Sequence, residues 1–376
     1  MSKQAKKIDL KQLYKLVYDS GASTKLDLAE LTDISVTAIS DYVNQLESLG
    51  ALVARPGESR GGRRPFIYEI NQEYSYIVGI DLQPRHFYIF LADLAGSVLI
   101  SRVVPVVSFA FPQYIAELTQ AIKFILRHLS IPSSKVLAIG ISISGVTDFA
   151  NREVERSNNL DWDNAALSAE LEKTVEIPVF VDTEVRIYAR NEIDLNEQNN
   201  ISTVLYISDG IGIALVINNK ILQGYSNRAG DNRFFGPERE RLYQVLRHDP
   251  LIREINALPY YSKSIDKAHL TDLNSRFTEH LANPKVREQM DDFTLYIARL
   301  MISVAQILNA NKVLLTGNVF DYNDFIYEQV KNYIASEQEI YFSPEIKRNK
   351  PGGGSLERGI VKFVMEKFFT LEQFTM

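Results

Sequence analysis

The sequence predicts an α/β protein in two parts, a small winged helix-turn-helix followed by a larger body in which one strand-and-helix pattern occurs twice. Three observations lead there. Three short helical periodicities follow one another before residue 50, and two strand-like runs flanking a glycine- and arginine-rich loop come directly after them. A strand-turn-strand block that starts near Tyr76 recurs from Thr203. The chain of 376 residues is longer than one core usually serves. The expected divisions are residues 1–72, a first α/β lobe over 73–190, and a second lobe with assembly elements over 191–376.

The first helix is expected from Leu10 to Asp19, with Leu10, Leu13, Leu16 and Val17 on one face and Gly21 as its stop. Thr24, with Asp27 three residues on, fits a capping box for a short second helix that buries Leu26, Leu28 and Leu31. After the turn Thr32-Asp33-Ile34, Ser35 is placed to cap a third helix running to Leu49. Its apolar face is Val36, Ile39, Val43, Leu46 and Leu49, and Gly50 ends it. Strands over 51–54 and 66–70 then enclose the loop Pro56 to Pro65.

A third helix in this order is the one that enters a major groove. Its outward residues Thr37, Ser40, Asp41, Asn44 and Gln45 are small hydroxyl and amide groups, with one carboxylate, that suit base edges and phosphates. A plain three-helix bundle with a solvated polar face would read the same way. The loop tips the balance, because its glycines let backbone approach DNA and its arginines suit phosphates or a narrow minor groove. The DNA-contact residues expected are Ser35, Thr37, Ser40, Asn44, Arg60, Arg63 and Arg64, and the partner is a double-stranded DNA operator. The net charge of −6 does not oppose this. Residues 1–70 carry ten basic and nine acidic side chains, and the acidic excess lies in the body.

In the body, Ile77–Leu82 and Phe87–Ala92 read as buried strands, Asp93 to Gly96 as a turn, and Ser97 to Val106 as a third strand. A helix over 114–129 and a strand over 136–143 follow. The second block has strands over 203–207, 213–217 and 220–222, with the Gly210-Ile211-Gly212 loop and the tight-turn pair Asn218-Asn219 between them. Glu238 to His248 is helical in pattern, and a long helix over 287–310 presents Phe293, Ile297, Leu300, Met301, Val304, Ile307 and Leu308 to a core. The chain has no cysteine, which excludes disulfides, thiol catalysis and cysteine-ligated zinc. It has no long uncharged apolar run and no apolar leader, so a cytoplasmic protein without a membrane partner is expected.

Together these features resemble the ROK family (repressors, open reading frames and kinases), most of all its xylose- and N-acetylglucosamine-repressor branch. The resemblance spans nearly the whole chain. It is carried by Arg60-Gly61-Gly62-Arg63-Arg64-Pro65 with Gly79-Ile80-Asp81, by Asn158-Asn159-Leu160-Asp161-Trp162, by the segment from Ile177 to Glu184, and by Gly224 through Asp231. It implies a duplicated actin-like ATPase fold of the sugar-kinase type, a homodimer or homotetramer, and a sugar or sugar phosphate effector. The ligand contacts it implies are Asn159, Asp161, Glu184 and Asp231.

The departures from the family are as informative. The kinase phosphate loop is replaced by Asp81-Leu82-Gln83-Pro84-Arg85, where proline has no amide proton and glutamine and arginine keep backbone at a distance. Glu184 stands where the kinases place their general-base aspartate, and Thr183 where they place a sugar-binding asparagine. Phe234 replaces a metal-ligand histidine, and no metal-ligand spacing remains. The expectation is a regulator, a repressor of carbohydrate-related genes by analogy, with no catalytic residues, no metal and no cofactor. A sugar kinase with altered ATP use is the alternative, and a body that serves only assembly is a third reading.

Overall fold

The computed structural model describes residues 8–58, 64–148, 150–157, 159–193, 200–208, 210–231, 238–258, 267–336, 343–349 and 354–372. Arg60, Arg63 and Phe234 lie outside them. The chain opens with helices α1 (Leu10–Ser20), α2 (Lys25–Thr32) and α3 (Val36–Ser48), then strands β1 (Leu52–Pro56) and β2 (Phe66–Ile70), which pair antiparallel. Asp9 and Gln12 close a capping box on α1, Thr24 and Asp27 close another on α2, and Ser35 accepts from Ala38 N at 3.3 Å to start α3. Ser23 bridges to Tyr68 with both backbone bonds, so the α1–α2 link is stitched to β2.

The next stretch forms β3 (Tyr76–Leu82), β4 (His86–Asp93), β5 (Val98–Pro105), α4 (Phe111–His128), β6 (Val136–Ile143), β7 (Val146–Thr147), β8 (Val154–Ser157), β9 (Trp162–Ala165), α5 (Leu167–Val175), β10 (Val179–Thr183) and α6 (Glu184–Ala189). After it come β11 (Ile201–Ile207), β12 (Ile211–Ile217), β13 (Lys220–Ile221), α7 (Glu238–His248), α8 (Pro250–Asn256), α9 (Lys267–His280) and α10 (Pro284–Leu308). The chain finishes with β14 (Lys312–Thr316), α11 (Asn318–Asp321), α12 (Asp324–Ser336), β15 (Glu345–Arg348) and α13 (Ser355–Thr370).

Two five-stranded sheets repeat one topology. The orders β5-β4-β3-β6-β10 and β13-β12-β11-β14-β15 correspond strand for strand, with two antiparallel steps and then two parallel ones in each. Helices α4 and α5 cover the outer face of the first sheet, and α10 and α12 lie in the core on the outer side of the second. Between the sheets sit α6 and α13, in one continuous apolar core that also takes in Leu13, Ile39, Val43 and Leu46 of the N-terminal helices. The N-terminal unit is therefore docked on the body. Tyr14 meets Phe368 edge-on at 6.2 Å between ring centres, Tyr18 meets Phe369 at 5.4 Å, and Lys11 Nζ donates to Leu371 O at 2.6 Å.

Several expectations need correction. Leu26 and Leu31 are more than half exposed, because α2 turns Leu28, Ala29 and Thr32 inward. Val36 and Leu49, at the two ends of α3, are exposed, as is Ile307 near the end of α10. Gly212 lies within β12 and not in a loop before it. The second lobe does not keep the whole of 191–376, since α13 returns to pack on β3, β4 and β6 of the first sheet. Close approach makes that return possible. A Cβ on Gly359 would lie 2.2 Å from the Ile187 carbonyl oxygen, so only glycine lets α13 sit against α6.

Candidate nucleic-acid face and ligand cleft

With Ile39, Val43 and Leu46 turned into the core, α3 leaves Thr37, Asp41, Asn44 and Gln45 exposed and Ser40 half-buried. These polar residues form one outward surface, to which Val36 adds an exposed apolar side chain. Ser35 is exposed too, but its hydroxyl serves the helix cap. Asn44 is engaged within the protein, since its Oδ1 accepts from Lys25 Nζ at 2.9 Å. Its two N–H donors are left for another partner. Arg64 is exposed at the return of the β1–β2 loop, beside the Gly57 N to Pro65 O bond of 2.8 Å that closes the hairpin. Arg55 is tied to Glu69 at 2.9 Å on the same hairpin.

The body contains a cleft of about 250 Å³ bounded by the start of α6, the segment before Asp231, the start of β12 and α7. Three of the four expected ligand residues, Asn159, Glu184 and Asp231, line it. Asp161 does not. It lines a separate hollow beside Phe111 and Trp162. The reason is local, because Asp161 takes a left-handed φ of 55° and turns the chain into β9. There Trp162 is fixed by its Nε1 bond to Phe109 O at 3.0 Å and by edge-on contacts with Phe111 and Tyr114. Asp231 ends a tight turn that depends on Gly230, whose φ is 88° and whose added Cβ would meet Ile213 O at 2.0 Å.

Glu184 is not an open carboxylate. Gln83 Nε2 donates to Glu184 Oε1 at 2.7 Å and to Asp81 Oδ2 at 2.8 Å, so one amide joins the two acids. Asp81 is almost fully buried. Burial pushes its carboxyl up to about 6, the hydrogen bond from Gln83 draws it back, and the nearby Glu357 charge adds to the rise. A base must have its acceptor oxygen free to take a proton from substrate. Here Glu184 Oε1 is already taken by the Gln83 amide.

The sequence reading missed the arginines of this cleft. Arg156, Arg186, Arg228 and Arg247 all line it. Arg186 is buried and donates to Asn227 Oδ1 at 2.8 Å and to Asn227 O at 2.6 Å. Asn227 in turn donates to the carbonyls of Thr147 and Asp148, joining the two lobes across the cleft floor. Behind α6, Asp182 forms an ion pair with Arg190 at 2.8 Å, and Arg190 donates to Glu366 of α13 at 3.0 Å. No motif marks these residues, and only the position of Arg186 two residues after Glu184 hinted at a role. Among the described residues no group of three acidic or histidine side chains is placed to hold a metal ion.

Comparison with known proteins places this geometry among relatives. Residues 77–232 match the ROK family model. The xylose repressor of Bacillus spizizenii is 23% identical over 97% of each chain. Among solved structures, a ROK family transcriptional regulator described as a homologue of the Escherichia coli MLC protein matches with a TM-score of 0.70 and 17% identity, over 95% of this chain and 97% of that one. The ROK hexokinase of Thermus thermophilus matches with a TM-score of 0.58 and 19% identity, over 78% of this chain and 99% of its own.

Proposed function

We propose that this chain, which carries a ROK family domain and is a homologue of xylose repressors, is a DNA-binding transcriptional repressor of carbohydrate-related genes. In this reading residues 8–70 act as a winged helix-turn-helix and the duplicated, actin-like ATPase body is the sensor. The observation that carries it is the exposed polar face of α3 on a unit docked directly on the body through α1 and α13. Thr37, Ser40 and Asn44 would face the major groove, with Arg64 on the wing and Arg60 and Arg63 in the same loop. Ser35 would contribute through its cap, which also aims the first α3 amides at a phosphate. The protein would work in the cytoplasm as a homodimer or homotetramer on an operator.

The cleft would take a sugar or sugar phosphate effector at Asn159, Glu184 and Asp231. The kinase alternative has the cleft and a carboxylate at Glu184 in its favour. Gln83 weighs against it, because its amide is bonded to that carboxylate. Two assays test the reading together. Fluorescence anisotropy with a promoter fragment from beside the protein's own gene should give binding tighter than to random DNA. A coupled ADP-release assay across a sugar panel should stay at background. Equal affinity for random DNA, or turnover of any sugar, would overturn it.

A further inference from the structure

We propose that Asn44 reads a guanine in the operator, because Lys25 holds its amide oxygen and leaves it only donors to offer. This rests on the DNA-binding reading given above. An asparagine free at both ends of its amide pairs with adenine, accepting from N6 and donating to N7. Asn44 is not free at both ends. Its Oδ1 accepts from Lys25 Nζ at 2.9 Å. An ammonium group has donors and no acceptor, so the amide oxygen, and not the nitrogen, must face it. Lys25 is itself seated. It is the first residue of α2, and its Nζ also lies over the Tyr68 ring of β2 at 5.2 Å from the ring centre. One ammonium therefore meets α3 on one side and the β1–β2 hairpin on the other.

Asn44 is exposed, and among the described residues its Nδ2 donates to nothing. The positive charge at its oxygen polarises the amide and strengthens those two donors. Donors alone suit the base edge richest in acceptors. In the major groove guanine offers two adjacent ones, O6 and N7, where thymine offers one. Adenine sets its N7 beside an amino group that Asn44 can no longer accept from. Asp41, exposed and three residues earlier on α3, is complementary to this. Its carboxylate offers acceptors only and suits the amino group of a cytosine.

The test is selection of a preferred duplex from a randomised library by the full chain, followed by affinity measurements on that duplex with Asn44→Ala, Lys25→Met and Lys25→Arg. Asn44→Ala should flatten the preference at one base pair of the recognition site. That pair should be G·C, and exchanging it for A·T should weaken the wild type about fivefold or more. Placing 7-deazaguanine there removes the N7 acceptor and should weaken the wild type but not Asn44→Ala. Lys25→Met frees the amide oxygen, so it should shrink the G·C preference at that pair alone, and Lys25→Arg should keep it. An A·T pair at the Asn44-dependent position overturns the proposal, as does Lys25→Met lowering affinity with the preference intact. Asn44→Ala weakening every sequence equally also overturns it, since Asn44 would then lie on a phosphate. If the wild type enriches no sequence, the DNA-binding reading itself falls, an outcome distinct from a site that is read without Asn44.

Discussion

Gly359→Ala tests how α13 is held between the lobes. The new methyl would lie 2.2 Å from the Ile187 carbonyl oxygen and 2.9 Å from Ile187 Cγ2. A carbon rests at roughly 3.3 Å or more from a carbonyl oxygen, so α13 would have to retreat by about 1 Å. Two effects of opposite sign compete. Alanine in a helix interior gains about 1 kcal/mol over glycine. Overpacking costs about 1–3 kcal/mol, at the upper end here because the obstacle is main chain and cannot rotate away. We expect a net loss of about 1–2 kcal/mol. The retreat would also draw Phe368 from Tyr14 and loosen the N-terminal unit. Thermal unfolding reads the outcome, at about 1–2 °C for each kcal/mol given roughly 2 cal/mol/K of unfolding entropy per residue. Gly140→Ala is the comparison. Its methyl would meet the side-chain methyls of Ile360 and Val364 at 2.7 and 2.8 Å, which can turn aside, so its loss should be smaller. A Gly359→Ala protein that melts at or above the wild type would refute the reasoning, as would Gly140→Ala being the more damaging.

Three further outcomes are expected. Asp182→Asn removes the anion from a pair in which both side chains are almost wholly buried, and should cost about 3–5 kcal/mol in urea unfolding. Glu366→Gln, on a carboxylate 42% exposed, should cost far less. Asp81 should give the stability of the protein a particular pH dependence, because burial raises its carboxyl from 3.8 to about 6. The unfolded chain then releases this proton first, so the group's contribution is complete below 3.8 and is lost as pH rises through about 6. Asp81→Asn should gain stability relative to wild type across that window, and parallel pH profiles would count against the raised value. Arg64→Ala should weaken operator and random DNA alike and reduce the slope of log affinity against log salt by about 1. A loss confined to the operator would place Arg64 on a base instead.

What the sequence made legible was local. Thr24 with Asp27, and Ser35 three residues before Ala38, marked helix starts that the structure keeps, because a cap is satisfied within four residues. The pair Asn218-Asn219 marked a hairpin for the same reason, and both residues take positive φ. Leu26 and Leu31 misled because an eight-residue helix cannot bury every apolar side chain it carries, and packing on α3 chose Leu28 and Ala29. Asn159, Glu184 and Asp231, named through resemblance, line the cleft, whereas Asp161 is carried away from it by a left-handed turn. Gln83 could be read as a missing glycine. Its bonds to Asp81 and Glu184 could not, since Glu184 lies 101 residues away in the chain. The return of α13 to the first sheet was equally hidden, because its partners Gly140 and Ile187 come from distant segments.

The same helix joins the cleft to the N-terminal unit through packed side chains. Thr183 and Glu184 line the cleft, and Asp182 precedes them at the end of β10. Asp182 pairs with Arg190, Arg190 bonds Glu366, and two residues beyond Glu366 the Phe368 ring packs on Tyr14 of α1. Buried ion pairs add little net stability over apolar packing, so this one is better understood as fixing the register of α6 against α13. Packing on both faces of α13 has the same consequence. Ile360 and Val364 meet Gly140 of the first sheet, while Phe368 belongs to the core shared with Leu13 and Val43. A close-packed interior does not absorb a displacement on one side without passing it to the other. Closure of the lobes around a ligand would therefore move α13, and with it the seat of the helices that carry Thr37 and Asn44.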